Sequence, residues 1–432
     1  MTPQDQFTIL APIEPRSQAG LRATLEAMNA PSGMADPAND SVPFGAFERL
    51  HFARFVILDD PTLSDIEVYG MPARQFPTYL AFTGDCDGPA HLLLKELCAR
   101  AEAGLRRIFS HCIGFDETTK LLDWLSAHVQ RVAATYVNYL GRTVTQIYEE
   151  SSLQRALAAR VRQLPPTLAL AAEQQRRQIK DYVREELDAG TLTLTRPSAT
   201  PLWWALRRCL YAIVIPLVSL LVSPLLLVLA PFLLVKLRRL ERTDPEIWPR
   251  PQLEALNALR ASEDVDVSNQ YTALGSLKPG LFRRTLLSVA LIYVNYFARL
   301  VFNRGFLARV QTIHFAHWVF MDGRLRLLFT SNYDGGHEAY MDDFINKAAW
   351  GLNLVFSSGV GWPQTDWLIR RGARRESQFK YFQRRHQIPT QVWYKAYPGL
   401  TLVDLERNQE IRRGLERRRM SDGEALAWLR LL

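Results

Sequence analysis

The chain has 432 residues, a hydrophobic fraction of 48% and a formal net charge of +8, which excludes global disorder and allows two domain-sized cores. The charge is uneven, because residues 1–200 contain 20 basic and 24 acidic residues whereas residues 201–432 contain 32 and 20. Since the basic half also holds the longest apolar run and has no recognisable nucleic-acid-binding motif, we expect anionic membrane lipids, and no nucleic acid, as its partner.

The first half of the chain has the hydrophobic periodicity of a small α+β domain, assigned here to residues 1–163. Apolar residues alternate in the predicted strands and recur every three to four residues in the predicted helices. The order is strand, helix, strand, strand, long helix, further helix, strand and helix. The predicted bounds are 7–13, 16–29, 50–58, 78–84, 89–111, 117–130, 134–140 and 143–163.

A helical connector is predicted at residues 164–208, and an uncharged run of 27 residues follows it, Cys209–Val235. A run of this length with three prolines is atypical of a soluble helix and is long enough to enter a bilayer. Pro224, near its middle, should break a helix. Basic residues flank both ends, which favours the cytoplasmic side for both. We therefore predict a re-entrant membrane hairpin over residues 209–235.

A charged linker at residues 236–268 leads to a second α+β domain, residues 269–432. Its first helix, residues 281–302, is more apolar than one core-facing stripe requires. The helix is therefore either buried on two sides or placed in the membrane interface, and we predict the interface. The arginines expected near lipid headgroups are Arg283, Arg284, Arg299 and Arg304.

An internal repeat relates the two domains. Leu50–Ile57 matches Ile313–Phe320. Further along, Tyr79–Gly88 matches Arg326–Gly335. The shared order βαββαβ is that of a ferredoxin-like unit, whose sheet needs cover on one face. The predicted fold is therefore α+β, with duplicated ferredoxin-like units forming a pseudo-dimeric α+β barrel whose inter-sheet space could hold a hydrophobic small molecule or a flat cofactor.

Two polar positions of the second strand recur in both copies. His51 and His314 occupy one position, and Arg54 matches His317 on the alternate face. The repeated histidines are either hydrogen-bonded core residues inherited through duplication, or groups that ligate haem or transfer protons. A buried cation at Arg54 needs a partner, either a carboxylate or an acidic ligand.

The end of the third strand carries another repeated feature, Asp87-Gly88 in the first copy and Asp334-Gly335 in the second. Asp-Gly after a strand is most often a turn. In the first copy, however, the sequence from Gly84 onward reads G-x-x-D-G. Within a duplicated ferredoxin-like architecture, that pattern resembles the dye-decolorizing peroxidases, a family of haem proteins with the α+β barrel fold.

The resemblance implies a haem cofactor, with an aspartate and an arginine above the iron and a histidine below it. The catalytic candidates, two of them taken from the repeat, are Asp87, Arg54, Asp334 and His51. The candidate iron ligands are His314, His337 and His386. Arg371 lies in an arginine-rich stretch that is either a solvated face or a patch for haem propionates or lipid headgroups.

Together these features predict a haem-dependent oxidoreductase of peroxidase type at a membrane surface, acting on a lipophilic substrate. Two alternatives stay open, a non-catalytic protein that binds lipid or another hydrophobic small molecule between the sheets, and a membrane scaffold. The four cysteines form no Cys-x-x-Cys pair, which fits a reducing compartment. We expect a monotopic protein on the cytoplasmic face of the inner (plasma) membrane, and a homo-oligomer is compatible with these features.

Overall fold

The computed structural model describes residues 1–163, 171–302 and 309–432, so part of the predicted connector (164–170) and Arg304 lie outside the described residues. The fold is mixed α+β, with antiparallel sheets and one long apolar helix. The strands are β1 (Gln4–Pro12), β2 (Leu50–Leu58), β3 (Tyr79–Asp87), β4 (Val132–Val137), β5 (Ser268–Ser276), β6 (Ile313–Met321), β7 (Arg326–Asp334), β8 (Thr365–Asp366), β9 (Arg370–Arg371) and β10 (Val392–Lys395). The helices are α1 (Gln18–Glu26), α2 (Ala90–Arg100), α3 (Glu102–Phe109), α4 (Leu121–His128), α5 (Val144–Gln163), α6 (Ala172–Asp188), α7 (Leu202–Thr243), α8 (Leu253–Arg260), α9 (Leu281–Leu300), α10 (His337–Asp343), α11 (Ala349–Phe356), α12 (Glu376–His386), α13 (Leu402–Glu416) and α14 (Asp422–Leu429).

Two four-stranded antiparallel sheets contain most of the strands. Sheet 1 has the order β1-β3-β2-β10, and sheet 2 has the order β4-β6-β7-β5. Their registers are equivalent, with Thr8 opposite Thr83 in sheet 1 and Thr272 opposite Thr330 in sheet 2. Three strands of each sheet therefore come from one half of the chain, and the fourth comes from the other half.

This exchange of the fourth strands differs from the ferredoxin-like prediction, in which each half keeps its own last strand. Ile9 of β1 forms a bridge with Val129, and the chain then leaves β1 to pair with β6 as β4. In the second half, Ala273 of β5 forms a bridge with Gln387 before β10 pairs with β2. The segment just before each fourth strand thus contacts its own half, and the strand itself joins the other sheet.

The inner faces of the two sheets pack against each other, and helices cover their outer faces. At one end of the inter-sheet layer the side chains are apolar: Leu10, Val56, Leu58, Ala81, Leu274, Val319, Met321, Leu328 and Ile388. On the outer faces, larger apolar cores join sheet 1 to helices α1 to α4, and sheet 2 to helices α9 to α12. The layers are therefore helices, sheet, sheet and helices.

The predicted membrane hairpin is wrong, because residues 209–235 lie within one continuous helix, α7, despite three internal prolines. A proline leaves the carbonyl four residues before it without its helical hydrogen bond. For Pro224 that carbonyl belongs to Leu220, and the hydroxyl of Ser223 donates to it at 2.8 Å. A neighbouring serine thus satisfies the group that the proline frees, and the helix continues.

Helix α7 runs antiparallel along α9. Near the start of α7, the hydroxyl of Tyr211 accepts a hydrogen bond from Asn295 Nδ2 at 3.0 Å. Near its end, the ammonium group of Lys236 lies 5.2 Å from the ring centre of Phe282. Helix α9 in turn packs on β4 of sheet 2. The face of α7 that points away from α9 is apolar and exposed along the whole uncharged run.

The predicted helix at residues 281–302 is confirmed as α9, but Arg283 does not lie where it was expected. Asp244, directly after α7, forms ion pairs with Lys278 at 2.8 Å and with Arg283. Arg283 is therefore buried and cannot reach lipid headgroups, because it lies on the face of α9 that packs against the rest of the protein. The same ion pairs fix the C-terminal end of α7 to the start of α9.

Candidate functional site

His51 lies at the bulge of β2 and is buried between two partners. Its Nε2 is 3.0 Å from Oδ1 of Asp87, and its Nδ1 is 3.2 Å from the hydroxyl of Tyr397. The other carboxylate oxygen of Asp87 accepts a hydrogen bond from the backbone N–H of Val144 at the start of α5, at 2.9 Å. A carboxylate is favourable there, because the N-terminal end of a helix carries a partial positive charge.

His314 has equivalent surroundings in the second half. Its Nε2 is 2.7 Å from Oδ1 of Asp334, and its Nδ1 is 3.4 Å from the hydroxyl of Tyr139. Oδ2 of Asp334 accepts from the N–H of Leu402 at the start of α13, at 2.7 Å. Burial alone would raise the pKa of Asp334, but His314 and the hydrogen bonds to the carboxylate lower that pKa below its ordinary value.

The hydroxyls of Tyr139 and Tyr397 are hydrogen-bonded to each other. They complete a buried chain that we call the histidine–tyrosine chain: Asp87, His51, Tyr397, Tyr139, His314 and Asp334. The exchange of strands explains why each histidine contacts the tyrosine of the other half, since Tyr397 follows β10, which pairs with β2. Burial raises the pKa of both tyrosines well above the ordinary value, so both hydroxyls stay protonated at neutral pH.

Arg54 extends from β2 across to sheet 2. Its guanidinium donates to the carbonyl of Tyr271 at 2.9 Å, to that of Ser331 at 3.0 Å, and to the side chain of Asn332. Burial lowers the pKa of Arg54 to about 10, and the carboxylate of Asp85 acts in the opposite direction. The partner that a buried cation requires is therefore supplied by the protein itself.

Two of the predicted neighbours, Arg54 and Asp87, have separate sets of partners. Arg54 bonds to strands of sheet 2, whereas Asp87 bonds to His51 and to the start of α5. The residue next to Arg54 in the inter-sheet layer is Asp85, which accepts a hydrogen bond from His317 Nε2 at 2.6 Å. The aspartate and arginine pair implied by the resemblance is therefore not formed by these residues.

The remaining candidate ligands lie apart from the histidine–tyrosine chain. His337 begins α10, and burial lowers its pKa to about 3. His386 ends α12, where its Nδ1 donates to the carbonyl of Phe382 at 2.9 Å. Arg371 is exposed on β9, 3.6 Å from Asp366. The structure thus places these residues on the outer helical side of sheet 2, away from the inter-sheet layer that holds His314.

The residues present in the inter-sheet layer do not fit a haem. Both ring nitrogens of His51 and of His314 are already hydrogen-bonded, so neither histidine offers a nitrogen to iron. The rings of Phe52 and Phe315, one from each sheet, are in edge contact with centres 5.7 Å apart. A flat ligand of haem size would have to displace these rings and the Arg54 contacts.

A pocket opens where α7 and α9 meet the edges of β1 and β4. Its volume is about 180 Å³, which is smaller than sites that enclose a whole drug-sized ligand, about 300–1,000 Å³. Its wall contains three arginines and one carboxylate, Arg207, Arg208, Arg299 and Asp5, and Trp203 and Trp204 stand beside them. We call it the α7–α9 pocket. It combines positive charge, aromatic rings and an apolar floor at one end of the long helix.

Asn295 organises this pocket. Its side-chain oxygen accepts hydrogen bonds from Arg299 Nε at 2.9 Å and from the backbone N–H of Thr135 at 3.3 Å. Its Nδ2 donates to Tyr211 of α7. Desolvation and the nearby Arg207 lower the pKa of Arg299. Tyr211 and Asp5 act in the opposite direction on the same pKa.

The other end of α7 is fastened to the tip of the β8–β9 hairpin. Glu241, only 1% exposed, accepts hydrogen bonds from the backbone N–H groups of Trp367 at 2.9 Å and Leu368 at 2.7 Å. Both tip residues have positive φ, 53° and 69°, a conformation that bulky residues rarely adopt. Arg238 lies 5.8 Å from the ring centre of Trp367, whose side chain is exposed. An aromatic and basic group therefore stands at each end of the apolar run.

Comparison of the chain with protein-family models, with curated proteins and with solved structures gave no match. The geometry of the chain is therefore the basis for its proposed function.

Sequence reasoning missed several residues of these sites. Tyr139 and Tyr397 recur at equivalent positions after the fourth strand, and that repetition is a usable signal. Asp85 is followed two residues later by Asp87, and the turn pattern drew attention to the second of them. The role of Trp203 and Glu241 carries no comparable sequence signal, because it depends on where the two ends of α7 meet the folded body.

Proposed function

We propose that the protein is a monotopic membrane protein that attaches to the cytoplasmic leaflet of the membrane and binds lipid there. The observation that carries the proposal is the position of α7. Its 27 uncharged residues, about 40 Å of helix at about 1.5 Å per residue, lie along α9 with both ends fastened to the same α+β body. A spanning α7 would pull α9 and sheet 2 into the bilayer core together with their buried ion pairs.

The ends of α7 support an orientation along the leaflet. Trp203 near one end and Trp367 near the other are both about half exposed. Tryptophan and arginine favour the boundary between headgroups and acyl chains. The exposed apolar residues of α9, among them Val289 and Ile292, extend the same surface. Such a helix would enter the leaflet sideways while the α+β body stays in water.

The α+β body behind this surface is proposed to be a pseudo-dimeric barrel of two ferredoxin-like units whose fourth strands are exchanged. The equivalent strand orders, the equivalent bulges in β2 and β6 and the two bridges at Val129 and Gln387 support this description. Its inter-sheet layer is occupied by side chains. Lipid binding is therefore better supported at the edge of the barrel than inside it.

Non-catalytic lipid binding is favoured over the haem peroxidase because neither His51 nor His314 in the inter-sheet layer offers the iron a free ligand. The peroxidase stays a prediction with its own test. A Soret absorbance band in the purified protein that disappears when His314, His337 or His386 is replaced would support it.

Vesicle flotation tests the attachment. Leu221 and Leu227 are 78% and 75% exposed on α7, so the double variant Leu221→Lys, Leu227→Lys should leave the body folded. Each leucine loses about 2 kcal/mol of burial and each lysine adds a similar penalty in the leaflet. We expect vesicle binding to fall by at least about a hundredfold.

The matched control places the same substitutions on exposed apolar residues away from α7, Val403→Lys with Leu426→Lys. This control should float with the vesicles as the unmodified protein does. Equal flotation of the α7 variant and the control would show that α7 does not enter the membrane.

A further inference from the structure

We infer that the α7–α9 pocket is a binding site for the anionic phosphate headgroup of a membrane lipid, whose acyl chains lie along the exposed surface of α7 and α9. This inference rests on the proposed attachment to one leaflet and names the lipid chemistry that the site accepts.

The residues that line the pocket differ from those at the equivalent positions of the other half. Thr135 and Val137 of β4 lie in its wall, opposite His317 and Phe315 of β6. The residues at the equivalent positions of β10 are Trp393 and Lys395, which are buried. Larger side chains therefore occupy in the second half the volume that is open in the first.

In the second half, the side chain of Lys395 fills the position that corresponds to Val137. Its ammonium group bonds to Asp266 at 2.7 Å, to Ser268 at 2.7 Å and to the carbonyl of Leu400 at 2.8 Å. The shorter, apolar side chain of Val137 in the first half leaves room beside β1. The difference between the halves is thus one of side-chain volume at matched backbone positions, and it opens the edge of the barrel beneath α7.

The outer wall of the pocket is formed by α7 and by α9, which is longer than its counterpart in the first half. Helix α9 has 20 residues, whereas α1, at the equivalent position of the first half, has nine. The last turns of α9 bring Asn295 and Arg299 to the pocket, and the first turns of α7 bring Arg207 and Arg208. The same two helices carry the exposed apolar surface. The open edge of the barrel therefore lies next to the exposed apolar surface that we assign to the membrane.

The chemistry of the wall selects a phosphate group. Three guanidinium groups face a single carboxylate, Asp5, and guanidinium binds phosphate oxygens in a bidentate manner. Val132, Ala134 and Leu300 provide apolar contacts suited to a glycerol backbone. A volume of about 180 Å³ accommodates a headgroup and leaves the acyl chains outside. Outside the pocket they would meet Leu206 and Leu210 of α7, both exposed.

The first test compares flotation with vesicles of phosphatidylcholine alone and of phosphatidylcholine mixed with phosphatidylglycerol. The unmodified protein should bind both and prefer the anionic mixture. The double variant Arg207→Gln, Arg299→Gln should lose about fivefold of that preference for each arginine and should bind the neutral vesicles unchanged. The charge-matched control, Arg418→Gln with Arg419→Gln on the exposed loop before α14, should lose less than about twofold because distant surface charges are screened.

A second variant separates the pocket from general surface charge. Thr135→Trp introduces the side chain that the equivalent position carries and keeps every arginine. It should lower the preference for anionic vesicles at least as much as the arginine variant does. If Thr135→Trp does not fold because Thr135 loses its bond to His317, the arginine variant and its control still decide the question.

The outcomes distinguish the two proposals. Equal binding of the unmodified protein to both vesicles would overturn the headgroup site and leave the attachment standing, whereas binding to neither would overturn both. Free glycerol phosphate carries the same phosphate but has no acyl chains, so it should bind more weakly than phosphatidylglycerol in vesicles. Binding of glycerol phosphate by a protein that shows no preference for anionic vesicles would identify a soluble phosphate ligand and overturn the lipid assignment.

Discussion

At the residue scale, the repeated polar side chains bond across the two halves. His51 and Asp87 belong to one half, but Tyr397, which contacts His51, comes from the other. The repeat made His51, His314, Asp87 and Asp334 visible in the sequence. Their tyrosine partners could not be assigned from the sequence, because the contact depends on which sheet the fourth strand joins.

Replacing Tyr397 tests whether the histidine–tyrosine chain stabilises the fold. In Tyr397→Phe the Nδ1 of His51 and the hydroxyl of Tyr139 both lose a buried partner. Leaving buried polar groups unpaired costs about 1–3 kcal/mol. We expect the free energy of unfolding, measured by denaturant titration in detergent, to fall by about that amount.

The control for this variant is Tyr381→Phe, on the half-buried face of α12. It should change the free energy of unfolding by less than about 0.5 kcal/mol. Equal losses in the two variants would mean that the hydroxyl of Tyr397 contributes nothing specific.

At the element scale, periodicity found most of the helices but not their interruptions. The helix predicted at 89–111 is two helices, α2 and α3, separated at Ala101 with φ −126°. The equivalent break occurs at Ala348 with φ −129°. After the first break, Gly104 lies so close to Ser41 that a Cβ would stand 1.8 Å from the Ser41 carbonyl oxygen. The apolar pattern runs through both breaks, so only the tertiary contact reveals them.

The orientation of α7 also could not be predicted from the sequence. A helix that is apolar on every side has no stripe that marks the face turned to the protein. The sequence therefore showed an apolar run of membrane length, and Pro224 suggested a turn in it. The bond from Ser223 that preserves the helix, and the contacts of Tyr211 and Lys236 with α9, are features of the folded structure.

Glu241 is predicted to hold the C-terminal end of α7. Its carboxylate accepts hydrogen bonds from Trp367 and Leu368 and pairs with Arg238 at 3.1 Å. In Glu241→Gln one oxygen becomes an amide that cannot accept from a backbone N–H, and the strained hairpin tip loses support. We expect faster trypsin cleavage after Arg238 and Arg242, measured by mass spectrometry of timed digests.

The matched control for Glu241 is Glu254→Gln, an exposed glutamate on α8. Its cleavage rate in this region should equal that of the unmodified protein. Unchanged cleavage in Glu241→Gln would show that the end of α7 is held by other contacts, chiefly those of Asp244.

At the scale of the whole molecule, the exchanged strands make the two halves one structural unit. Neither sheet is complete without a strand from the other half, and the histidine–tyrosine chain closes the contact between them. The sequence predicted the repeat and the order of its elements. The exchange could not be predicted from the sequence. The alternation of apolar and polar residues along a strand shows which face is buried, but it does not show which strand lies beside it in the sheet.

For the proposed membrane attachment, the same joined body predicts that both ends of α7 lie on one side. The body contains residues from both sides of α7, so an intact body requires both ends of α7 to lie on one side of the bilayer. The segments before and after α7 include exposed positions at Ala199 and Glu254. Cysteines placed there, one at a time and in a chain without the native cysteines, report the side on which each end lies.

Labelling of Ala199→Cys and Glu254→Cys with a membrane-impermeant thiol reagent is the most direct test of monotopic attachment. In sealed inner-membrane vesicles of known orientation, both cysteines should react only when the cytoplasmic face is accessible. Reaction of the two cysteines from opposite faces would establish a membrane-spanning α7. The two halves could not then share the exchanged sheets, and both the monotopic attachment and the joined α+β body would be contradicted.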